Sequence, residues 1–502
     1  MMEQLIMQPT LTVSEKLSNE NDELKIADTE NATLNNTAKL LALVEDVEFF
    51  HDEQKQAHAS FKNNNHTETW LVESNRFREW LVNQFWKEYQ MTVGESSLQT
   101  AILTMKGKAI FEGKCCEVFM RVGTKAETVY INIGDDNWGV IEVTKNGWRV
   151  LNTSPVKFRG TQNMRSLPLP ETNGDIELLW RHINIPKSQR LLVLAWMLDY
   201  FISNTPFPLL VLSGLQGSGK SSTQEILRNF IDPNAANLRN APKNDDDIVV
   251  AAANNYLVSF NNVSRLTISN QDDLCCLSTG GGFAKRRLYT TDEESVVDIK
   301  RPTVINGIGD LVTRQDLIDR SIIIELPIIN EKNRKTEYEL AKEFDCDKPK
   351  IFGALLDILS KVLKTLPTIQ LETKPRMASF AVLGAALEKA MSLPSGSFAQ
   401  EYKNNYHENI LSAIENNPVA VALVKFMRDE KEYRCTYSDL LVKLSNYPYR
   451  PDSSIDFPKS AKGLSNFLKR HAPALELISI KISFEKRTKD GYFITIINQG
   501  EN

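Results

Sequence analysis

Cysteine is scarce in this 502-residue chain: there are six, four of them in the adjacent pairs Cys115-Cys116 and Cys275-Cys276. That spacing suits neither a disulfide framework nor a CxxC metal repeat, so the thiols are read as reduced. Long apolar runs are lacking too. Leu191 to Leu198, the longest in the most membrane-like stretch, falls far short of the ~20 residues a spanning helix needs. Met1 to Leu40 has no basic start followed by an apolar segment, so no secretory signal is read and the cytoplasm is the expected compartment. There is no global positive charge, because 59 Lys and Arg against 64 Asp and Glu leave a net charge of −5. Any nucleic-acid surface must therefore be local. Between Lys39 and Tyr200 there is no Asp-x-Asp pair for two metals and no zinc-ribbon cysteine set, which argues against primase chemistry in that region. His51, His58 and His66 are scattered and are expected at the surface rather than on a metal.

What the chain does have is an ordinary globular composition, with 42% hydrophobic and 25% charged residues. Its length corresponds to about three domains at roughly 150 residues each. The first 35 residues carry seven acidic and two basic side chains and no apolar period, the pattern of a disordered tail. Tyr130 to Ile133, Gly139 to Val143 and Trp148 to Leu151 read as strands separated by turn dipeptides. Ser74 to Tyr89 reads as a helix that gathers Phe77, Trp80, Leu81, Phe85 and Trp86 on one face, either as core aromatics or as a base-stacking surface. From Asp175 to about Pro327 strands and helices alternate, which argues a parallel α/β sheet. Residues 335 to 428 read as helical, and 433 to 498 as two short helices followed by a β-hairpin.

The motif with most chemical content is Gly214-Leu-Gln-Gly-Ser-Gly219-Lys220-Ser221, a GxxxxGK[ST] segment between the apolar strand Pro208 to Ser213 and a helix from Ser222. Its glycines let the backbone wrap a phosphate chain, and the helix N-terminus adds positive potential. Gly214, Gly217, Ser218, Gly219, Lys220, Ser221 and Ser222 are therefore the candidate nucleotide-binding residues. Lys220 would meet the β and γ phosphates of ATP, and Ser221 would bind Mg²⁺, the one metal expected. A second strand, Tyr256 to Phe260, exits at Asn261, where P-loop enzymes place an aspartate that helps hold the metal. An amide oxygen carries no charge to balance that metal and cannot act as a base. Farther on, three glycines precede Lys285, Arg286 and Arg287, and the strand Arg301 to Ile305 ends in Asn306.

Taken together, the glycine loop, the second strand with its Asn exit, the Thr279-Gly-Gly-Gly282 segment with basic residues and Leu288-Tyr289, the strand ending in Asn306 and Arg320 before the strand Ser321 to Leu326 resemble superfamily 3 AAA+ helicases. They resemble most the helicase-like ATPases of phage, plasmid and integrated mobile elements. The resemblance is strong over 175 to 330 and looser elsewhere. It implies that Asn306 is the polar residue facing the γ-phosphate and that Arg320, with Arg314 as the alternative, reaches a neighbouring subunit's nucleotide. It also implies that Lys285, Arg286 and Arg287 lie on a DNA-gripping hairpin. Asn261 departs from the acidic pattern, and a nucleotide-binding DNA-binding or regulatory or defence ATPase with weak hydrolysis stays open beside the helicase.

The last segment is locally basic, with eight Lys or Arg against three Asp or Glu between Lys459 and Asp490. Helix, helix and hairpin there resemble a winged helix, with Lys469, Arg470, Lys486 and Arg487 as candidate DNA contacts. The expected organisation is a tail over 1–36, an N-terminal β-rich α+β domain over 37–174, a P-loop AAA+ ATPase domain over 175–330, a helical domain over 331–430 and a winged-helix-like domain over 431–502. The expected partners are DNA, further copies of the chain in a ring, and a separately encoded primase.

Overall fold

The computed structural model describes residues 35–202, 205–286, 294–415, 417–446, 457–486 and 492–500, with the backbone alone for 283–286, 294–298 and 333. The expected tail therefore lies almost wholly outside the described residues, as do Arg287, Arg487 and the turn at 489–491.

The chain forms two compact units. The first comprises the residues up to Phe119 together with Lys157–Gln162. Its centre is an antiparallel sheet of Glu48–His51, Ala57–Asn63 and His66–Leu71. The helices Asn75–Tyr89 and Glu95–Phe111 pack on it through Phe77, Leu81, Phe85, Leu98, Ile102 and Met105. Of the aromatic face read from the sequence, Phe77 and Phe85 are core residues, whereas Trp86 is 49% exposed. His51 and His58 are buried, contrary to the expectation for them. Strand alternation puts His58 on the face opposite the core residues Ala57, Ala59 and Phe61, and it is buried there by stacking on Phe50, with its Nε2 3.1 Å from an Asp52 carboxylate oxygen.

The second unit, Met120–Val156 with Asn163–Asn502, is mixed α/β. Its five-stranded sheet runs in the order Arg239–Asn240, Val258–Val263, Thr303–Gly307, Leu209–Ser213 and Ser321–Glu325, with all neighbours parallel. Because successive side chains point to opposite faces, Leu210 and Leu212 of the fourth strand enter one core while Leu209 and Val211 enter the other. The first core holds the helices Arg190–Asp199, Lys220–Ile231, Glu337–Thr365 and Ala378–Ala390. It also receives the four-stranded antiparallel sheet Val122–Lys125, Thr128–Asn132, Val140–Thr144 and Gly147–Leu151, pinned by Trp148 Nε1 donating to Asp357 at 2.8 Å. Fully buried Arg121 ties this sheet to the end of Lys220–Ile231 through Asp232 at 3.0 Å.

The second core continues through Pro418–Arg428 into the C-terminal segment. There the structure adds an element to the sequence reading. Glu432–Thr436 is a strand, and it pairs with Phe493–Asn498, which pairs in turn with Ile480–Phe484. The helices Tyr437–Ser445 and Ala461–Leu477 pack on this three-stranded sheet through Leu440, Leu444, Leu464 and Leu468. Among the described residues no single helix is long and apolar enough to cross a membrane.

Candidate functional site

The site is built at one end of the parallel sheet, where three of its strands finish. The strand Leu209–Ser213 runs into a glycine turn, and the helix Lys220–Ile231 starts directly after it. Gly217 and Gly219 hold φ of 82° and 78°, a left-handed backbone that other residues adopt only with strain. A Cβ on Gly214 would come within 2.6 Å of the Leu326 carbonyl oxygen. The loop is therefore specified by its glycines.

Lys220 folds back over this loop. Its ammonium donates to the carbonyl oxygens of Gly214 and Leu215, both at 2.8 Å, and lies 3.4 Å from Ser218 Oγ. Burial pushes its pKa down from the ordinary lysine value. Ser218 is buried, Ser221 partly exposed and Ser222 exposed. From outside the loop, the Asn184 amide donates to Ser218 O at 2.9 Å and to Pro327 O at 2.6 Å, clamping the turn against the end of the edge strand.

Asn261 and Asn306 arrive at the same place from the two neighbouring strands. Asn306 is level with Leu212 in the ladder, and Phe260 is level with Ile305. Ser221 Oγ donates to Asn261 Oδ1 at 2.8 Å, and Asn306 Nδ2 donates to the same oxygen at 2.7 Å. Asn306 is fully buried, and its Oδ1 accepts the backbone N–H of Asn262 at 3.0 Å. The sequence reading missed Gln224. One turn beyond Lys220 and wholly buried, it accepts from Asn306 Nδ2 at 2.6 Å and donates to Ser259 Oγ and to the Phe260 carbonyl. Its only advance signal was a polar residue on the inward face of an amphipathic helix. Asn184, between the buried Ile183 and Ile185, gave no periodic signal.

The other predicted residues lie elsewhere. Arg320 stands at the start of the edge strand, where its carbonyl accepts from the Leu209 amide, so it is level with the beginning of the strand that the glycine loop terminates. Four residues at ~3.3 Å each put it roughly 13 Å from that loop along the strand. Its guanidinium donates to the Asp316 carbonyl and lies 4.0 Å from Cys275 Sγ, while its buried Nε has no partner among the described residues. Arg314 is held by Asp272 at 2.8 Å. Lys285 and Arg286, two of the three residues of the basic cluster, fall on Gly282–Arg286, which pairs antiparallel with Glu294–Asp298. Lys469 and Arg470 are exposed on Ala461–Leu477, and Lys486 is exposed just beyond Ile480–Phe484.

Residues 176–405 match the family model of the actinomycete integrative conjugative element replication protein, and residues 419–501 match the model of the C-terminal domain of that protein. The chain belongs to this replication-protein family. It is a replication protein of a mobile element. A search of curated proteins finds no match. Among solved structures, the SCCmec type IV Cch active helicase matches at 12% identity and a TM-score of 0.42, over 90% of this chain and 93% of that one. The NrS-1 C-terminal region in its apo form matches at 13% and 0.38, over 91% and 97%. The JCV helicase with a bound phenoxyphenyl acetamide matches at 15% and 0.25, over 46% and 64%.

For this replication protein, the loop offers a phosphate chain a narrow glycine cradle and one lysine already surrounded by oxygen acceptors. For a divalent cation it offers the Ser221 hydroxyl backed by a neutral amide. Among the described residues no cluster of three or more His, Cys, Asp or Glu could hold a metal.

Proposed function

We propose that this replication protein is an ATP-dependent DNA helicase, with an ATP·Mg²⁺ site at the Gly214–Ser222 loop of a P-loop AAA+ core. The observation that carries the reading is the convergence of Lys220, Ser221, Asn261 and Asn306 at one end of the parallel sheet. Bound Mg²⁺ would offset charge on the β and γ phosphates. Lys220 would exchange its loop carbonyls for phosphate oxygens, Ser221 would turn its hydroxyl oxygen to the metal, and Asn306, fixed by Gln224, would orient the attacking water. Arg320, too far along the strand to serve its own loop, would act on the nucleotide of the next subunit in a ring. The hairpin bearing Lys285 and Arg286 would grip the DNA strand. The C-terminal helices and sheet would serve as a winged-helix module, contacting duplex phosphates through Lys469, Arg470 and Lys486.

A second reading is favoured by Asn261 itself. Its side-chain oxygen already accepts two hydrogen bonds and brings no charge, which suits a nucleotide-gated DNA-binding or regulatory ATPase with slow hydrolysis. ATP turnover measured with and without single-stranded DNA separates the two. Turnover stimulated by the DNA supports the helicase; tight ATP binding with no stimulated turnover supports the gated binder; absence of ATP binding refutes both.

A further inference from the structure

Away from the glycine loop, the helices Ala378–Ala390 and Ser397–Glu415 and the segment 368–376 enclose a cavity of about 960 Å³. Its inner wall is apolar and aromatic, with Phe398, Tyr402 and Tyr406 contributing rings, and no hydrogen bond is formed by the Tyr402 hydroxyl among the described residues. Its rim carries exposed Lys374, Arg376 and Lys403, none with an ion-pair or hydrogen-bond partner among the described residues. Of the three carboxylates in the lining, Glu372 is exposed beside these cations, and the two in the wall are already engaged. Asp319 Oδ1 accepts from Gln315 at 2.7 Å and from the Tyr406 hydroxyl at 3.1 Å, and Glu388 accepts the backbone amides of Gly396 and Phe398 at 2.8 and 2.9 Å. What the cavity leaves unsatisfied is therefore aromatic surface inside and, with Lys374, Arg376 and Lys403 against the one carboxylate of Glu372, an excess of positive charge at the mouth.

We propose that this cavity is a second nucleotide site, taking a base against Phe398 and Tyr402 and a phosphate against Lys374, Arg376 and Lys403. Every base has a face that stacks on aromatic rings, and the unpaired cations supply the charge-assisted contacts a phosphate needs. A cavity of this size accommodates a whole nucleotide unit rather than an ion. The unit could be a free mononucleotide or one nucleotide of a single strand, since both present the same base and phosphate. Asp319, in the cavity wall, immediately precedes Arg320, so occupancy adjoins the residue proposed to face a neighbouring subunit.

The test uses full-length protein carrying Lys220→Ala, which silences the glycine loop, and measures equilibrium binding of fluorescent AMP and of a fluorescent five-nucleotide oligo(dT). Residual binding of AMP is expected, weakened about tenfold or more by Lys374→Ala/Arg376→Ala/Lys403→Ala and abolished by Ala399→Trp, an exposed wall position where an indole fills the space; oligo(dT) binding should weaken in the same variants without being lost, because Lys285 and Arg286 would still grip a strand. Melting temperatures and circular dichroism of these variants should match the parent. AMP binding that the cavity variants remove identifies a free-nucleotide site, and weakening by those variants confined to oligo(dT) identifies a strand site. Two outcomes overturn the proposal: no binding of either probe to the Lys220→Ala protein, or binding unmoved by both cavity variants. Failure of the glycine-loop reading would look different, as wild-type stoichiometry unchanged by Lys220→Ala.

Discussion

Replacing Asn261 with aspartate is a nearly isosteric way to ask whether the missing acid limits turnover. The side-chain oxygen keeps both of its donors, Ser221 Oγ and Asn306 Nδ2. The amide nitrogen that becomes the second oxygen donates to nothing among the described residues, so every hydrogen bond of the side chain survives. The Asn306 interaction becomes charge-assisted. At an effective dielectric of ~20, a carboxylate about 5 Å from a divalent cation gains roughly 6 kcal/mol. If about a quarter of that develops only as the phosphoryl group transfers, turnover rises about tenfold. The assay is steady-state ATP turnover at saturating Mg²⁺, paired with thermal melting with and without ATP·Mg²⁺. Without the metal the new charge is partly buried, so the variant should melt lower than wild type and recover when ATP·Mg²⁺ is added. Brisk wild-type turnover combined with no gain in Asn261→Asp would refute the reasoning, because another group would then be balancing the metal.

Further outcomes follow from the same geometry. If Arg320 acts on a neighbour's nucleotide, Arg320→Ala and Lys220→Ala should each abolish turnover alone but recover part of it when mixed, and no recovery in mixtures that co-assemble would contradict action across subunits. Lys469→Glu/Arg470→Glu, both exposed, should weaken duplex binding without lowering the melting temperature, and should flatten the slope of log K against log salt by about 0.9 for each phosphate no longer neutralised; an unchanged slope would remove this helix from the interface. Burial raises the Glu401 carboxyl to about 7. A carboxyl raised on folding stabilises the fold only while protonated, so stability should fall as pH rises from about 4.5 to about 7. Glu401→Gln should remove that slope and gain about 1 kcal/mol at pH 8 after discounting for partial exposure, and parallel stability curves for the two proteins would contradict it.

The glycine loop was legible because its signal is local: backbone that must turn left-handed, a lysine and a hydroxyl in eight consecutive residues, and strand and helix patterns on either side. Asn306 and Asn261 were legible only as strand exits. The hydrogen bond joining them spans 45 positions in sequence, and the one from Asn306 to Gln224 spans 82, so neither leaves a periodic trace. Strand Glu432–Thr436 escaped notice for a related reason. Only Cys435 in it is fully buried, so the alternation that marks a half-buried strand is too weak to read, and its partner lies some sixty residues downstream. His58 was misjudged because a histidine in a polar segment looks solvated until its strand neighbours turn it toward Phe50.

The polar groups gathered round the loop share a property that bears on how such a site would respond. Asn184, Gln224, Asn261 and Asn306 are all amides, and their mutual bonds and those to the backbone hold them without any of them carrying charge. Amides do not titrate, so this network keeps the same geometry across the working pH range. Lys220 brings the charge that folds over the loop, and it is satisfied by neutral carbonyls that a phosphate would readily outcompete. The arrangement is therefore poised by position more than by electrostatics. On the proposed reading, further charge would come from the nucleotide, from its metal, from Arg334, whose guanidinium lies against Gly217, or from a cation brought in by another subunit. That last contribution is one the chain does not supply to itself through Arg320, which stands at the far end of the neighbouring strand.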